Sequence, residues 1–156
     1  MIRRARPEDR AAVEAIVHAA YAMYVDRIGK PPGPMLDDYA RLIADDTVSM
    51  LEDGDRTMAA IIVLVPQSDH LLLDNIAVRP DCQGHGLGRQ LIAFAEDEAR
   101  RLGYAELRLY THEKMTGNIT LYGGLGFVET GRGHQASYDR VFMTKRLSYL
   151  ATLHLP

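Results

Sequence analysis

Cysteine is almost absent from this chain: Cys82 is the single one in 156 residues. No internal disulfide is therefore available, and a reducing compartment suits the chain. Tryptophan is missing altogether and phenylalanine occurs three times, against eight tyrosines, several of them gathered at Tyr21, Tyr24 and Tyr39. No run of about twenty apolar residues exists that could cross a bilayer, so no membrane partner is expected. The amino terminus, Met1-Ile2-Arg3-Arg4 and then Pro7-Glu8-Asp9-Arg10, lacks the apolar stretch of a signal peptide. The expectation is a cytoplasmic protein. An excess of basic residues is lacking too: a formal net charge of -3 argues against a nucleic-acid partner. The histidines show no metal spacing, since His112-Glu113 lacks the second histidine of a zinc-protease helix, and no metal is expected.

What remains is an average globular composition, 47% hydrophobic and 25% charged. Its length suits a single domain over residues 1–156. Ile2 to Arg6 reads as a first strand. Pro7, Glu8 and Asp9 then suit a helix start, and Val13, Ile16, Val17, Ala20 and Tyr24 recur at helical spacing, which predicts a helix from about Pro7 to Val25. Gly29 to Pro34 is a loop, because its prolines and glycines break regular structure. A second helix is expected over Leu36 to Ala44. Thr47–Leu51 and Met58–Val65 read as strands joined at the turn Glu52-Asp53-Gly54-Asp55. Ala59 to Val65 is apolar on both faces, which predicts a central strand. Leu71 to Val78 is another strand, interrupted in character by Asp74-Asn75. A strong amphipathic helix follows, ending near Arg100, Arg101 and Gly103. Ala105 to Tyr110 alternates as a strand, Met115 to Gly123 fits a helix, and Phe127–Gly131 with Tyr138–Leu147 close the chain as a hairpin. This order predicts an α+β fold with a mixed sheet and packed helices.

Gln83-Gly84-His85-Gly86-Leu87-Gly88 lies between a strand and a helix. Glycines at alternate positions let several backbone N–H groups point one way, and the helix start adds a positive dipole end, which together suit a pyrophosphate. Arg89 and Arg79 add charge at the rim. A Rossmann fingerprint would need glycine at position 89, and a Walker A loop would need Gly-Lys-Ser/Thr; neither is present. The segment from Ile76 to Gly88 resembles motif A of the GNAT superfamily of acetyl-CoA-dependent N-acetyltransferases, with Gln83, Gly86 and Gly88 matching Gln/Arg-x-x-Gly-x-Gly/Ala. Leu121-Tyr122-Gly123-Gly124-Leu125-Gly126-Phe127 resembles that family's motif B, Tyr-x-x-x-Gly-Phe.

The resemblance implies a single domain with a mostly antiparallel sheet of about seven strands, helices on both faces, and a central splay for the cofactor. It implies acetyl-CoA as co-substrate, its arm paired with the backbone of Ile76, Ala77 and Val78 and its pyrophosphate on the N–H groups of Gln83 to Arg89. A backbone N–H near Ile76 or Ala77 would face the thioester oxygen, where negative charge develops. Tyr122 matches the tyrosine that protonates the departing thiolate, a task that a phenol with a pKa of about 10 can perform. The family's usual asparagine position is here Met115, and Asn118, one helical turn before Tyr122, is the candidate that reaches the cofactor arm or holds Tyr122. The acceptor amine needs a base. Asp74 leads, as a carboxylate in an apolar strand, and Glu113 beside His112 is second. Acceptor recognition falls to Tyr24, Arg27, Met35 and Asp38, in helices one and two and their loop. The acceptor is expected to be a primary amine, with a lean to small molecules; a protein amine and a non-catalytic acyl-CoA sensor are the alternatives. A homodimer is common among similar proteins, and no residue here fixes one.

Overall fold

The computed structural model describes residues 1–54 and 57–147. Asp55, part of the expected turn after Glu52, lies outside the described residues. Among the described residues the sheet has seven strands in the order β1-β2-β3-β4-β5-β7-β6. These are β1 (Ile2–Arg4), β2 (Val48–Glu52), β3 (Met58–Pro66), β4 (Leu71–Val78), β5 (Glu106–His112), β6 (Val128–Gln135) and β7 (Tyr138–Arg146). By contact density the chain divides into two compact units, Met1–Val65 with Leu73–Ala93, and Pro66–Leu72 with the chain from Phe94 on.

In the first unit β1, β2 and β3 pair antiparallel, with Arg3 opposite Met50 and Met50 opposite Ile61. Ala59 to Val63 are wholly buried, as the two-sided apolar run requires. Each large aliphatic side chain buried here, such as Met50 or Ile61, contributes about 1.5–3 kcal/mol. The first helix differs from its expected span. A 3-10 turn at Pro7–Asp9 leads into α1 (Arg10–Tyr21), and a separate short helix, α2 (Tyr24–Ile28), follows a break at Ala22-Met23. Burial explains the break: α1 buries Val13, Ile16, Val17 and Tyr21, while α2 buries nothing fully, so no continuous apolar face holds the two in line. Gly29 ends α2 in the left-handed region, at φ 87°. The second expected helix also starts later. Gly33–Leu36 is a 3-10 turn, Asp37 is extended, and α3 (Tyr39–Ala44) begins after Asp38, whose carboxylate accepts the Arg41 N–H.

The long helix α4 (Leu87–Arg101) starts directly after the glycine turn and buries Leu91, Ile92, Ala95 and Ala99. Gly103 caps it at φ 85°. In the second unit β5 alternates strictly between buried and part-buried positions and pairs antiparallel with β7, which pairs antiparallel with β6. The β6–β7 turn is Ala136-Ser137, both at positive φ (51° and 68°), the geometry of a two-residue type I′ hairpin. β6 runs on to Gln135, past the expected end at Gly131. Its side chains are almost all exposed, so it lacks the apolar alternation by which a strand is read from sequence. α5 (Thr116–Gly124) lies between β5 and β6.

Candidate active site

The glycine turn follows a 3-10 turn at Pro80–Cys82. Gly84 and Gly86 take φ 82° and 77°, a region that side-chain-bearing residues enter only at a cost of about 1–2 kcal/mol. A Cβ at either would meet no atom within 4 Å. Backbone conformation, not crowding within the chain, therefore calls for glycine here, and the space above the turn is open. Gln83, Gly84, His85 and Gly86 are exposed, with Leu87 and Gly88 half-buried where α4 begins and Arg89 exposed. An exposed run of residues at the start of a fifteen-residue helix fits a phosphate-bearing ligand. Gln83 donates to the Val78 carbonyl at 3.3 Å, tying the turn back to β4. Arg79, expected at the rim, is paired with Asp81 at 2.6 Å. Burial and the Asp81 carboxylate push the Cys82 thiol up, away from thiolate character.

β4 sorts its residues by parity. Leu71, Leu73, Asn75 and Ala77 are buried; Leu72, Asp74, Ile76 and Val78 are part-exposed. The buried polar residue of this strand is therefore Asn75, at 3% exposure, and not Asp74. Tyr21, at the end of α1, donates its hydroxyl to Asn75 Oδ1 at 2.6 Å and lies 2.9 Å from the Ile76 carbonyl. Asn75 Nδ2 donates to the Tyr39 hydroxyl at 3.0 Å, and that hydroxyl donates to the Pro34 carbonyl at 2.6 Å. Burial, seconded by the charge of Asp37, pushes the Tyr39 hydroxyl well above the ordinary tyrosine range, so it remains a donor. This Tyr21–Asn75–Tyr39 chain was missed from sequence. Its signal was present: Asn75 shares the period of Leu71, Leu73 and Ala77, and Tyr21 shares that of Val13 and Val17.

In the second unit Tyr122 is buried on α5, its ring packed edge-on against Phe127 at 5.7 Å. The chain leaves α5 through Gly126 at φ 97°, and Phe127 N–H returns to the Tyr122 carbonyl at 3.0 Å. A Cβ on Gly126 would stand 3.0 Å from Lys145 Cε. Lys145 Nζ itself holds the Leu125 carbonyl at 2.7 Å and pairs with Glu96. The Gly-Phe of the second motif thus has a structural reason in this chain. Met115 is buried, and its sulfur accepts from Thr111 Oγ1 and from Asn118 Nδ2, both at 3.6 Å. The Asn118 amide is therefore turned toward Met115, the residue at the family's asparagine position.

Glu113 is exposed just past β5, with its N–H on the Asp139 carbonyl at 3.0 Å. His112 Nδ1 accepts the Lys114 N–H at 3.1 Å, which leaves its proton on Nε2. Tyr24 is half-buried against Tyr21, ring centroids 6.3 Å apart, with the Arg27 guanidinium over its ring at 5.5 Å. Met35 lies half-buried in the 3-10 turn, and Asp38 is engaged as the cap of α3. Among the described residues no group of three or more His, Cys, Asp or Glu could hold a metal, and no helix is long and apolar enough to cross a membrane.

The family model of the acetyltransferase (GNAT) family matches residues 13–127. A ribosomal protein bS18-alanine N-acetyltransferase of Salmonella typhimurium is 35% identical over 104 residues, 61% of this chain and 68% of that one. The chain spans about half the length of the curated Escherichia coli relatives it matches. The crystal structure of the ribosomal-protein-S18-alanine N-acetyltransferase from Escherichia coli superposes with a TM-score of 0.72 at 26% identity, covering 95% of this chain and 94% of that one. The PaiA N-acetyltransferase from Thermoplasma acidophilum, solved with coenzyme A, has a TM-score of 0.76 at 17% identity over 94% and 98% of the two chains, a likeness of fold.

Proposed function

Because the chain belongs to the acetyltransferase (GNAT) family, we propose that it acts as one domain to transfer the acetyl group of acetyl-CoA directly to a primary amine of another molecule. The observation that carries this reading is the pair of positive-φ glycines, Gly84 and Gly86, with open space above them at the start of α4. When bound, acetyl-CoA supplies the thioester carbon that the amine attacks, and the CoA thiolate leaves. The backbone N–H groups of Gln83 to Arg89 hold the diphosphate, and the edge of β4 from Val78 to Ile76 holds the arm. Of the two candidate donors, Ile76 and Ala77, the alternation of the strand turns Ala77 N–H toward β3, which leaves the Ile76 N–H to stabilise the charge that grows on the acyl oxygen. Tyr122 carries the proton for the leaving thiolate. Asp74, part-exposed on β4, takes the proton of the amine, with Glu113 as the second candidate.

The sequence leans to a small-molecule acceptor. The Salmonella and Escherichia coli relatives, named for acetylating an alanine of a ribosomal protein, favour a protein amine as the second reading. The test is CoA release from acetyl-CoA with a panel holding small amines and peptides with a free amino-terminal alanine. Parent protein turns over at least one member. Tyr122→Phe lowers kcat by about 10²-fold or more while its CoA affinity stays near that of the parent. CoA binding without turnover across the panel would leave an acyl-CoA sensor instead.

A further inference from the structure

Arg79 N–H donates to the Ala59 carbonyl of β3 at 2.8 Å. Successive residues of a strand turn their N–H and C=O to opposite edges. Ala77 and Asn75 therefore face β3, and the N–H and C=O of Ile76 lie on the opposite edge of β4. The Tyr21 hydroxyl reaches that edge, 2.9 Å from the Ile76 carbonyl. It arrives from the strand face that carries Asn75; the side chains of Asp74 and Ile76 belong to the other face. Tyr21 is 7% exposed and cannot swing aside freely. Its hydroxyl is held by Asn75, which is itself held by Tyr39, and Tyr39 by the Pro34 carbonyl. Turning the ring would strand a buried amide oxygen.

We propose that Tyr21 sets the length of the acyl group: its fixed ring closes one side of the β4 edge at Ile76 and admits a two-carbon acyl group but not a longer one. The inference rests on the reading above, in which the acyl carrier's arm runs from the glycine turn along β4 to Ile76. On that geometry the acyl methyl meets a wall on the Asn75 face, while the amine enters from the face that bears Asp74. Each methylene that does not fit a closed pocket is discriminated by about 10-fold or more.

Calorimetric titration with CoA, acetyl-CoA and butyryl-CoA tests this without knowledge of the acceptor. In the parent, butyryl-CoA binds at least about 10-fold more weakly than acetyl-CoA. In Tyr21→Ala that ratio falls to about threefold or less while CoA itself binds within about threefold of the parent. A merely structural role would weaken all three ligands alike. Should Tyr21→Ala fail to fold, Tyr21→Leu decides by the same ratio, because it keeps apolar packing and shortens the side chain. The inference is overturned if the parent accepts butyryl-CoA as readily as acetyl-CoA, or if the shortened variant binds CoA normally and keeps the full discrimination. A parent that binds none of the three ligands overturns the acetyl-CoA reading itself, which is a different result.

Discussion

Replacing Asn75 with alanine removes the middle link of the buried polar chain in the first unit, and its consequence can be worked out atom by atom. Two hydrogen bonds are lost, Tyr21 hydroxyl to Oδ1 and Nδ2 to the Tyr39 hydroxyl, each contributing about 1 kcal/mol net. Neither tyrosine proton is orphaned, because Tyr21 still reaches the Ile76 carbonyl and Tyr39 the Pro34 carbonyl. The penalty for a stranded donor is therefore avoided. The space left by the amide adds about 1 kcal/mol, since the site is 3% exposed and enclosed. The expected loss is about 3 kcal/mol, read as a lower midpoint in urea unfolding followed by far-UV circular dichroism, with the m-value unchanged. Asp74→Ala, one residue away on the part-exposed face, loses less than about 1 kcal/mol. A double-mutant cycle between Tyr21→Phe and Asn75→Ala shows coupling of at least about 0.5 kcal/mol. A loss below about 0.5 kcal/mol for Asn75→Ala, or one no larger than that of Asp74→Ala, would refute the assignment of Asn75 as the link.

Three other changes follow from the same geometry. Gly86→Glu forces a side chain into φ 77° and sets a carboxylate over the turn; calorimetry with CoA should show binding lost, whereas unaltered affinity would misplace the diphosphate site. Gly126→Ala combines φ 97° with a contact of 3.0 Å to Lys145 Cε, so thermal unfolding should show a loss of about 1–3 kcal/mol, against little change for Gly117→Ala, where nothing lies within 4 Å. Asp9 is held below its ordinary range mainly by the Arg3 guanidinium at 2.8 Å, with the Arg6 N–H assisting. A depressed carboxylate contributes stability above its unfolded pKa, and that contribution disappears as pH falls through the folded value. Stability should therefore drop below about pH 4, and Asp9→Asn should flatten that part of the pH profile; an unaltered acid limb would show that the pair contributes nothing.

Much of the fold was legible because local rules and tertiary needs agreed. The apolar run of β3, the start of α4 directly after the glycine turn, and the Gly103 cap each rest on a pattern that needs no distant partner. Other features depended on what lies opposite. The first helix keeps apolar periodicity to Tyr24, yet it breaks at Ala22-Met23, because periodicity does not reveal where the burying surface ends. β6 carries no alternation, since an exposed edge strand takes its pairing from β7 and a two-residue turn rather than from its own side chains.

The sequence by itself determined the glycine turn, the Tyr122 to Phe127 motif and so the family, because backbone N–H donors at a helix start and a positive-φ exit are specified by a few adjacent residues. Only the tertiary structure decided that Asn75 rather than Asp74 is buried, that Tyr21 and Tyr39 close on it from 54 and 36 positions away, and that the Asn118 amide turns to the Met115 sulfur. Side-chain partners distant in sequence are chosen by packing, and the one-dimensional pattern carries only the parity that makes such a meeting possible.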